Sequence, residues 1–131
     1  MRNYRMGRAA QLLGVSADTV RRWADAGRLP TTRDEHGHRV IDGRDLARFA
    51  VRLAAEEGAP ETPTHTSARN TFPGIVTRVV RGDVAAQVEI QAGPHRVVSL
   101  LTAESVESLG LTEGMEATAS VKATHVTVEL T

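Results

Sequence analysis

From Gly58 to Thr66 the chain runs Gly-Ala-Pro-Glu-Thr-Pro-Thr-His-Thr, with no apolar period and two prolines that can donate no backbone hydrogen bond. Neither a helix nor a central strand crosses such a segment, so residues 59–66 are predicted to be an extended linker. The 131 residues are thereby divided into domains at 1–58 and 67–131, and each must bury a core of its own. Pieces this small leave no room for a large catalytic cavity. The sequence holds no cysteine, so neither disulfides nor a thiolate zinc site reinforces either piece. No run of 18 apolar residues is present, and Met1–Arg5 leads into a polar helix rather than a signal-peptide core. The expected location is cytoplasmic, with no membrane partner.

Charge separates the two pieces further. Residues 1–58 carry eleven arginines against eight carboxylates, whereas residues 67–131 carry four arginines, one lysine and seven carboxylates. A modestly basic head on a modestly acidic tail suits contact with nucleic acid through the head alone.

In the head, Ala9, Ala10, Leu12 and Leu13 recur at helical spacing, which predicts a helix over Met6–Leu13 that Gly14 stops. Ser16 is placed to cap a second helix, Asp18 falls where the dipole favours an acid, and Val15 and Val20 occupy the staple positions. Gly27 closes that helix. Val20, Trp23 and Ala24 share its inner face, so Trp23 is expected in the core and Arg21 and Arg22 outside. The stretch Thr31–Ile41, with Asp34-Glu35-His36-Gly37 at its centre, predicts a hairpin flanked by Arg33, His38 and Arg39. Asp42 and Asp45 can cap a third helix whose apolar stripe is Leu46, Phe49, Ala50 and Leu53. His36 and His38 at a turn, without cysteine and among arginines, read as phosphate or solvent contacts, and no metal site is expected.

The run Gly-Arg-Ala-Ala-Gln-Leu-Leu-Gly-Val-Ser from Gly7 to Ser16, with Thr19-Val20-Arg21-Arg22-Trp23, Ala26-Gly27-Arg28-Leu29-Pro30 and Gly37-His38-Arg39, resembles the winged DNA-binding domain of the MerR and excisionase-like families over roughly residues 4–55. The resemblance implies double-stranded DNA as partner, with the second helix in the major groove. Ser16, Thr19, Arg21 and Arg22 of that helix, and Arg33, His38 and Arg39 of the wing, are the candidate DNA-binding residues.

The tail reads as strands. Val84, Ala86, Val88 and Ile90 alternate with Ala85, Gln87, Glu89 and Gln91 in a half-buried pattern, beside β-rich runs at Ile75–Val80 and Val97–Leu101. Arg81-Gly82-Asp83 is a tight turn between strands. A short helix over Ala103–Leu109 is stopped by Gly110. Ala117, Ala119, Val121 and Ala123 share one parity, but Val126, Val128 and Leu130 share the other, so a bulge or bend is expected near Ala123-Thr124-His125 before a further strand.

Three segments of this tail carry oxyanion chemistry: Ser67-Ala68-Arg69-Asn70, Thr102-Ala103-Glu104-Ser105, and Lys122-Ala123-Thr124, which holds the only lysine in the chain. In this order around five predicted strands they resemble the molybdate-binding Mop domain of molbindins and ModE-type regulators, over about residues 67–131. The resemblance implies that the Ser67 hydroxyl, the Ala68 amide, Arg69, Lys122 and the Ala123 amide form one half of an oxyanion site, and that Thr102 and Ser105 come from a neighbouring subunit. It further implies a homo-oligomer, either a dimer or a trimer of dimers. Thr124 stands where the family often has serine, and ModE-type regulators carry a different winged helix.

Hydroxyls, amides and cations all donate toward an anion, and none of these residues is an obligate acceptor. The set suits an unprotonated dianion and is poorer for hydrogen phosphate, whose O–H would lack a partner. Molybdate and tungstate are nearly the same size and both remain open, as does the smaller sulfate. The expected molecule is thus an α+β protein of two domains: a mainly α winged helix-turn-helix, and a five-stranded OB-like β-barrel with one short helix. Its expected function is a molybdate- or tungstate-responsive DNA-binding transcriptional regulator without an organic cofactor. The alternatives are an oxyanion storage protein with an accessory head and an architectural DNA binder whose tail oligomerises. No nucleophile, base and orienting group are assembled, so no enzyme is expected.

Overall fold

A computed structural model describes residues 2–58 and 65–131, and the linker expected over 59–66 falls largely outside the described residues. The chain divides into two compact units, Met1–Ala59 and Pro60–Thr131.

The first unit holds strand β1 (Asn3–Arg5), helices α1 (Met6–Leu13) and α2 (Ala17–Asp25), strands β2 (Thr32–Arg33) and β3 (Arg39–Asp42), and helix α3 (Gly43–Glu57). The short α1–α2 connection follows from local chemistry. Gly14 adopts φ 72°, and the amides of Gly14 and Val15 bond back to the carbonyls of Gln11 and Ala10, closing α1 in a Schellman turn. The Ser16 hydroxyl then accepts the Thr19 amide at 3.2 Å and opens α2. At the other end of α2, Gly27 at φ 76° lets the amides of Gly27 and Arg28 reach Ala24 and Trp23. Asp42 caps α3 by accepting the Arg44 amide at 2.8 Å. Ala9, Ala10, Val20, Leu29, Ile41, Leu46 and Phe49 form the core, with Trp23 half-buried at its margin and its ring 5.1 Å from that of Phe49. Arg28 lies 5.9 Å from both rings and pairs with Glu56 at 2.7 Å, tying the end of α2 to the end of α3.

One element of this unit was not foreseen. Asn3–Arg5, expected to run straight into a helix, is a strand paired antiparallel with β3, giving the sheet order β1-β3-β2. Three residues are too few to carry a period, so only the partner strand defines them.

The second unit holds strands β4 (Asn70–Arg81), β5 (Ala85–Ala92) and β6 (His95–Thr102), helix α4 (Ala103–Leu109) and strand β7 (Glu116–Val121). They form one antiparallel sheet in the order β6-β5-β4-β7, curled into a half-barrel around Val76, Ala86, Val88, Ile90 and Val106. Thr102 caps α4 and Gly110, at φ 63°, ends it with the same Schellman bonds as Gly14. Among the described residues four strands are formed here, where five are expected from the sequence. A 3₁₀ turn over Ala123–His125 stands at the expected break, but residues 126–131 pair with nothing among the described residues. Val128 and Leu130 are 88% and 99% exposed. Their alternation is strand-like, yet they join neither of the free edges that the sheet order leaves on β6 and β7. The inner face of the sheet accordingly stays open along a channel of about 410 Å³, lined by Val97, Leu101, Leu109, Leu111, Ala117 and Val121 among others.

Glu89 keeps the face assigned to it by alternation but is buried there. It is only 8% exposed, because Arg96 on β6 and Gln87 beside it both donate to its Oε1.

Candidate functional site

In the head, the Gly14 turn and the Ser16 cap fix α2 relative to α1, and the hairpin β2–β3 follows it. The hairpin tip is organised by Asp34, whose Oδ1 accepts the amides of His36 and His38, both at 2.9 Å, with Gly37 at φ 79° completing the turn. The backbone N–H of His38 holds the Asp34 carboxyl below the usual aspartate range against partial burial, helped by that of His36 and by the charges of His38 and Arg5.

The candidate DNA residues divide into several settings. Arg21, Arg33, His38 and Arg39 line one concavity of about 650 Å³, together with Arg5, Met6, Gly7, Arg8 and Gly37. Ser16 and Thr19 sit at the opening of α2 with their hydroxyls 2.9 Å apart, and Arg22 donates to the Thr19 hydroxyl at 3.2 Å outside that concavity. Arg21 is exposed and pairs with Asp18 at 2.5 Å. Arg33 donates to the Gly37 carbonyl across the hairpin. Arg39 is the least available of them: its side chain is 26% exposed and donates to Asp25 at 3.0 Å and to Thr31, bracing the wing strand against the end of α2. Arg5 and Arg8 were not singled out from the sequence. Arg5 reaches this surface because β1 pairs with β3, which no motif signals, and Arg8 follows in the first turn of α1.

In the tail, register brings two of the three oxyanion segments together. Asn70 pairs with Val121 across β4 and β7, and its side chain donates to the Val121 carbonyl at 3.2 Å. The ladder ends at this pair, and Arg69 and Lys122 are the next residues beyond it on the two strands. The Ala68 amide donates to Thr66 Oγ1 at 3.1 Å and Arg69 to the Ser67 carbonyl. Lys122 is exposed at the head of the 3₁₀ turn, directly before Ala123.

Thr102 and Ser105 lie elsewhere. Thr102 pairs with Ala85, next to the register point Arg81↔Ala86, at the far end of the twelve-residue strand β4 from Asn70. The strand between spans on the order of 35 Å of contour. The Thr102 hydroxyl accepts the Ser105 amide at 3.0 Å and donates to the Ser105 hydroxyl at 2.7 Å, so both act as a helix cap within the chain. Among the described residues no cluster of three or more His, Cys, Asp or Glu is arranged to hold a metal ion. No described helix is long and apolar enough to cross a membrane.

An arginine-lined concavity on a helical head and a curled four-stranded half-barrel make a two-part protein, and comparison with known proteins finds matches to both parts. The TOBE domain model matches residues 66–128, and the MerR family regulatory protein model matches residues 5–41. Molybdenum-pterin-binding protein 2 of Clostridium pasteurianum is 43% identical over 63 residues, covering 47% of this chain and 93% of that protein. Molybdenum-pterin-binding protein MopA of Rhodobacter capsulatus is 40% identical over 106 residues, covering 70% of this chain and 40% of its own length. Among solved structures, a molybdate binding protein from Sporomusa ovata is 33% identical with a TM-score of 0.50, covering 51% of this chain and all of that one. Through its second unit the chain belongs to the family of molybdenum-pterin-binding proteins, and its first unit contains the match to the MerR family regulatory protein model.

Proposed function

We propose that this chain is a molybdate-responsive DNA-binding regulator, in which a winged helix-turn-helix head reads DNA and a Mop-type tail binds the anion between copies of the chain. The observation that carries the reading is the union, in one chain, of a MerR-type head whose arginines line one concavity and a TOBE unit related to molybdenum-pterin-binding proteins. Arg21, Arg22, Ser16 and Thr19 offer donors to base edges and phosphates, and Arg33, His38 and Arg39 supply the wing. Domain limits of 1–58 and 67–131 fit the separate cores.

In the tail, Ser67, Ala68, Arg69, Lys122 and Ala123 form one half-site, and Thr102 and Ser105 of another copy form the other. The register supports this division, since one chain holds its two donor groups at opposite ends of β4. The open apolar channel and the unpaired, alternating Val126, Val128 and Leu130 support closure of each half-barrel into a five-stranded OB-like barrel by a partner copy. Two or more heads are then held at a set spacing, and an anion bound only by the assembled form shifts both assembly and DNA occupancy. Two cations and a ring of donors neutralise molybdate or tungstate without an organic cofactor, and none of these groups performs a reaction. The cytoplasm, where DNA and free oxyanion meet, is the fitting location.

Calorimetric titration of molybdate, tungstate and sulfate, followed by DNA binding with and without the anion that binds, tests the proposal. A change in DNA affinity on adding the anion supports regulation. Anion binding by a protein with no DNA affinity refutes it and favours storage, a reading that the alignment of the tail with almost the whole of a small molybdenum-pterin-binding protein makes specific.

A further inference from the structure

The concavity of the head contains five arginines, and their charges are not equally available. Arg21 is answered by Asp18 at 2.5 Å and Arg39 by Asp25 at 3.0 Å. Arg8 donates to the neutral Gln11 amide oxygen at 3.0 Å, and Arg33 to the neutral Gly37 carbonyl at 2.8 Å. Among the described residues, Arg5, Arg8 and Arg33 have no carboxylate within salt-bridge distance, and Arg5 makes no side-chain hydrogen bond. Asp34, on the hairpin, has its Oδ1 already occupied by two backbone amides. The uncompensated positive charge of this surface therefore sits on β1, the first turn of α1 and the hairpin, while the arginine of α2 in the concavity is locally neutralised.

Gly7 lies between Arg5 and Arg8 on the lining of the same concavity. Its φ is outside the left-handed region, and a Cβ built on it meets nothing within 4 Å. The fold does not require glycine there, and the bare Cα leaves open space on the lining that Arg5 and Arg8 share.

We infer that Arg5 and Arg8, flanked by Arg33, form a seat for a DNA backbone phosphodiester, distinct from the α2 residues that face the bases. The inference rests on the DNA-binding reading of the head. A guanidinium with no carboxylate partner binds phosphate without first breaking an ion pair, and each phosphate so neutralised releases condensed counterions. Arg5 and Arg8 thus supply sequence-independent hold and salt dependence, and α2 supplies discrimination.

The test uses the full chain, one duplex selected from a random pool for tight binding and one of random sequence, with Kd measured from 50 to 200 mM KCl. Arg5→Ala and Arg8→Ala are each expected to weaken both duplexes by the same factor and to lower the slope of log affinity against log salt by about 0.9. Over that fourfold salt range each variant then loses roughly 3.5-fold less affinity than the parent. Gly7→Asp places a carboxylate in a helix first turn that has none, which favours the fold through the helix dipole, yet it is expected to weaken both duplexes. Its unfolding temperature, at or above that of the parent, separates blocked binding from misfolding. Unchanged slopes in Arg5→Ala and Arg8→Ala, while the parent binds DNA, overturn the seat and leave the DNA reading standing. A loss confined to the selected duplex does the same, by making these residues base readers. A parent that binds neither duplex overturns both.

Discussion

Replacing Gly74 by alanine tests what holds the half-barrel in its curl. Gly74 lies where β4 is paired with β7 through Ala117 and is about to pair with β5 through Ile75 and Gln91. A Cβ at this position would stand 2.3 Å from the Gln91 carbonyl oxygen and 2.8 Å from Ile90 Cγ2. Carbon and carbonyl oxygen settle at about 3.3–3.6 Å, so the two strands must part by about 1 Å. Overfilling a packed site costs about 1–3 kcal/mol, and a backbone carbonyl gives way less readily than a side chain, which places this change near about 3 kcal/mol. For a domain of this size that corresponds to a fall of about 10–20 °C in Tm. Far-UV circular dichroism follows both units and fluorescence of Trp23, the single tryptophan, follows the head alone, so the sheet transition is the part of the dichroism change that Trp23 does not share. The expected result is an early sheet transition with the Trp23 transition in place. A fall of less than about 3 °C would mean that β4 and β5 separate freely here, and the account of the close approach would be refuted.

Lys122→Ala is expected to abolish molybdate binding in calorimetry while unfolding stability stays within about 0.5 kcal/mol, because the side chain is exposed and packs on nothing; parent-like affinity would relocate the site. If Arg39 braces the wing, Asp25→Ala weakens DNA binding although it removes a negative charge, and the Asp25–Arg39 double-mutant cycle gives a coupling of about 0.5–1 kcal/mol. Tighter DNA binding by Asp25→Ala would instead make Arg39 a direct contact. The hydrogen bond from Arg96 holds the Glu89 carboxyl below the usual glutamate range, so its contribution to stability is complete above the unfolded pKa and is lost as pH falls through the lower folded value. Acid titration of the sheet should therefore show a loss below about pH 4.3 that Glu89→Gln removes, and an unchanged acid limb would count against the Arg96–Glu89 pair as its source.

Local chemistry in this chain is legible far beyond local geometry. Ser16, Asp42 and Thr102 cap helices, and Gly14, Gly27 and Gly110 end them, because each of these roles is settled within four residues. Pairing is another matter. β1 is three residues long and exists only through β3, so Arg5 could not be placed beside the hairpin from sequence. Glu89 follows the alternation, but alternation names a face and not what lies over it; Arg96 covers it from the next strand. Val126, Val128 and Leu130 carry a strand pattern without a ladder in their own chain. The oxyanion segments were found as residue types, whereas their separation into two ends of β4 emerged only from the register of three strand pairs.

The sheet order β6-β5-β4-β7 leaves an outer row of backbone donors and acceptors on each border strand, and β6 also exposes Leu100 at 77% and Val98 at 47%. Such borders recruit any extended segment that meets them. A ring of copies that closes upon itself removes both borders, whereas addition that misses closure by a few degrees continues as a filament. If copies assemble as proposed, colloidal behaviour is tied to how much of the chain is made: a dilute chain keeps bare borders, a closed ring covers them, and assembly that misses closure gives open stacks that light scattering would detect.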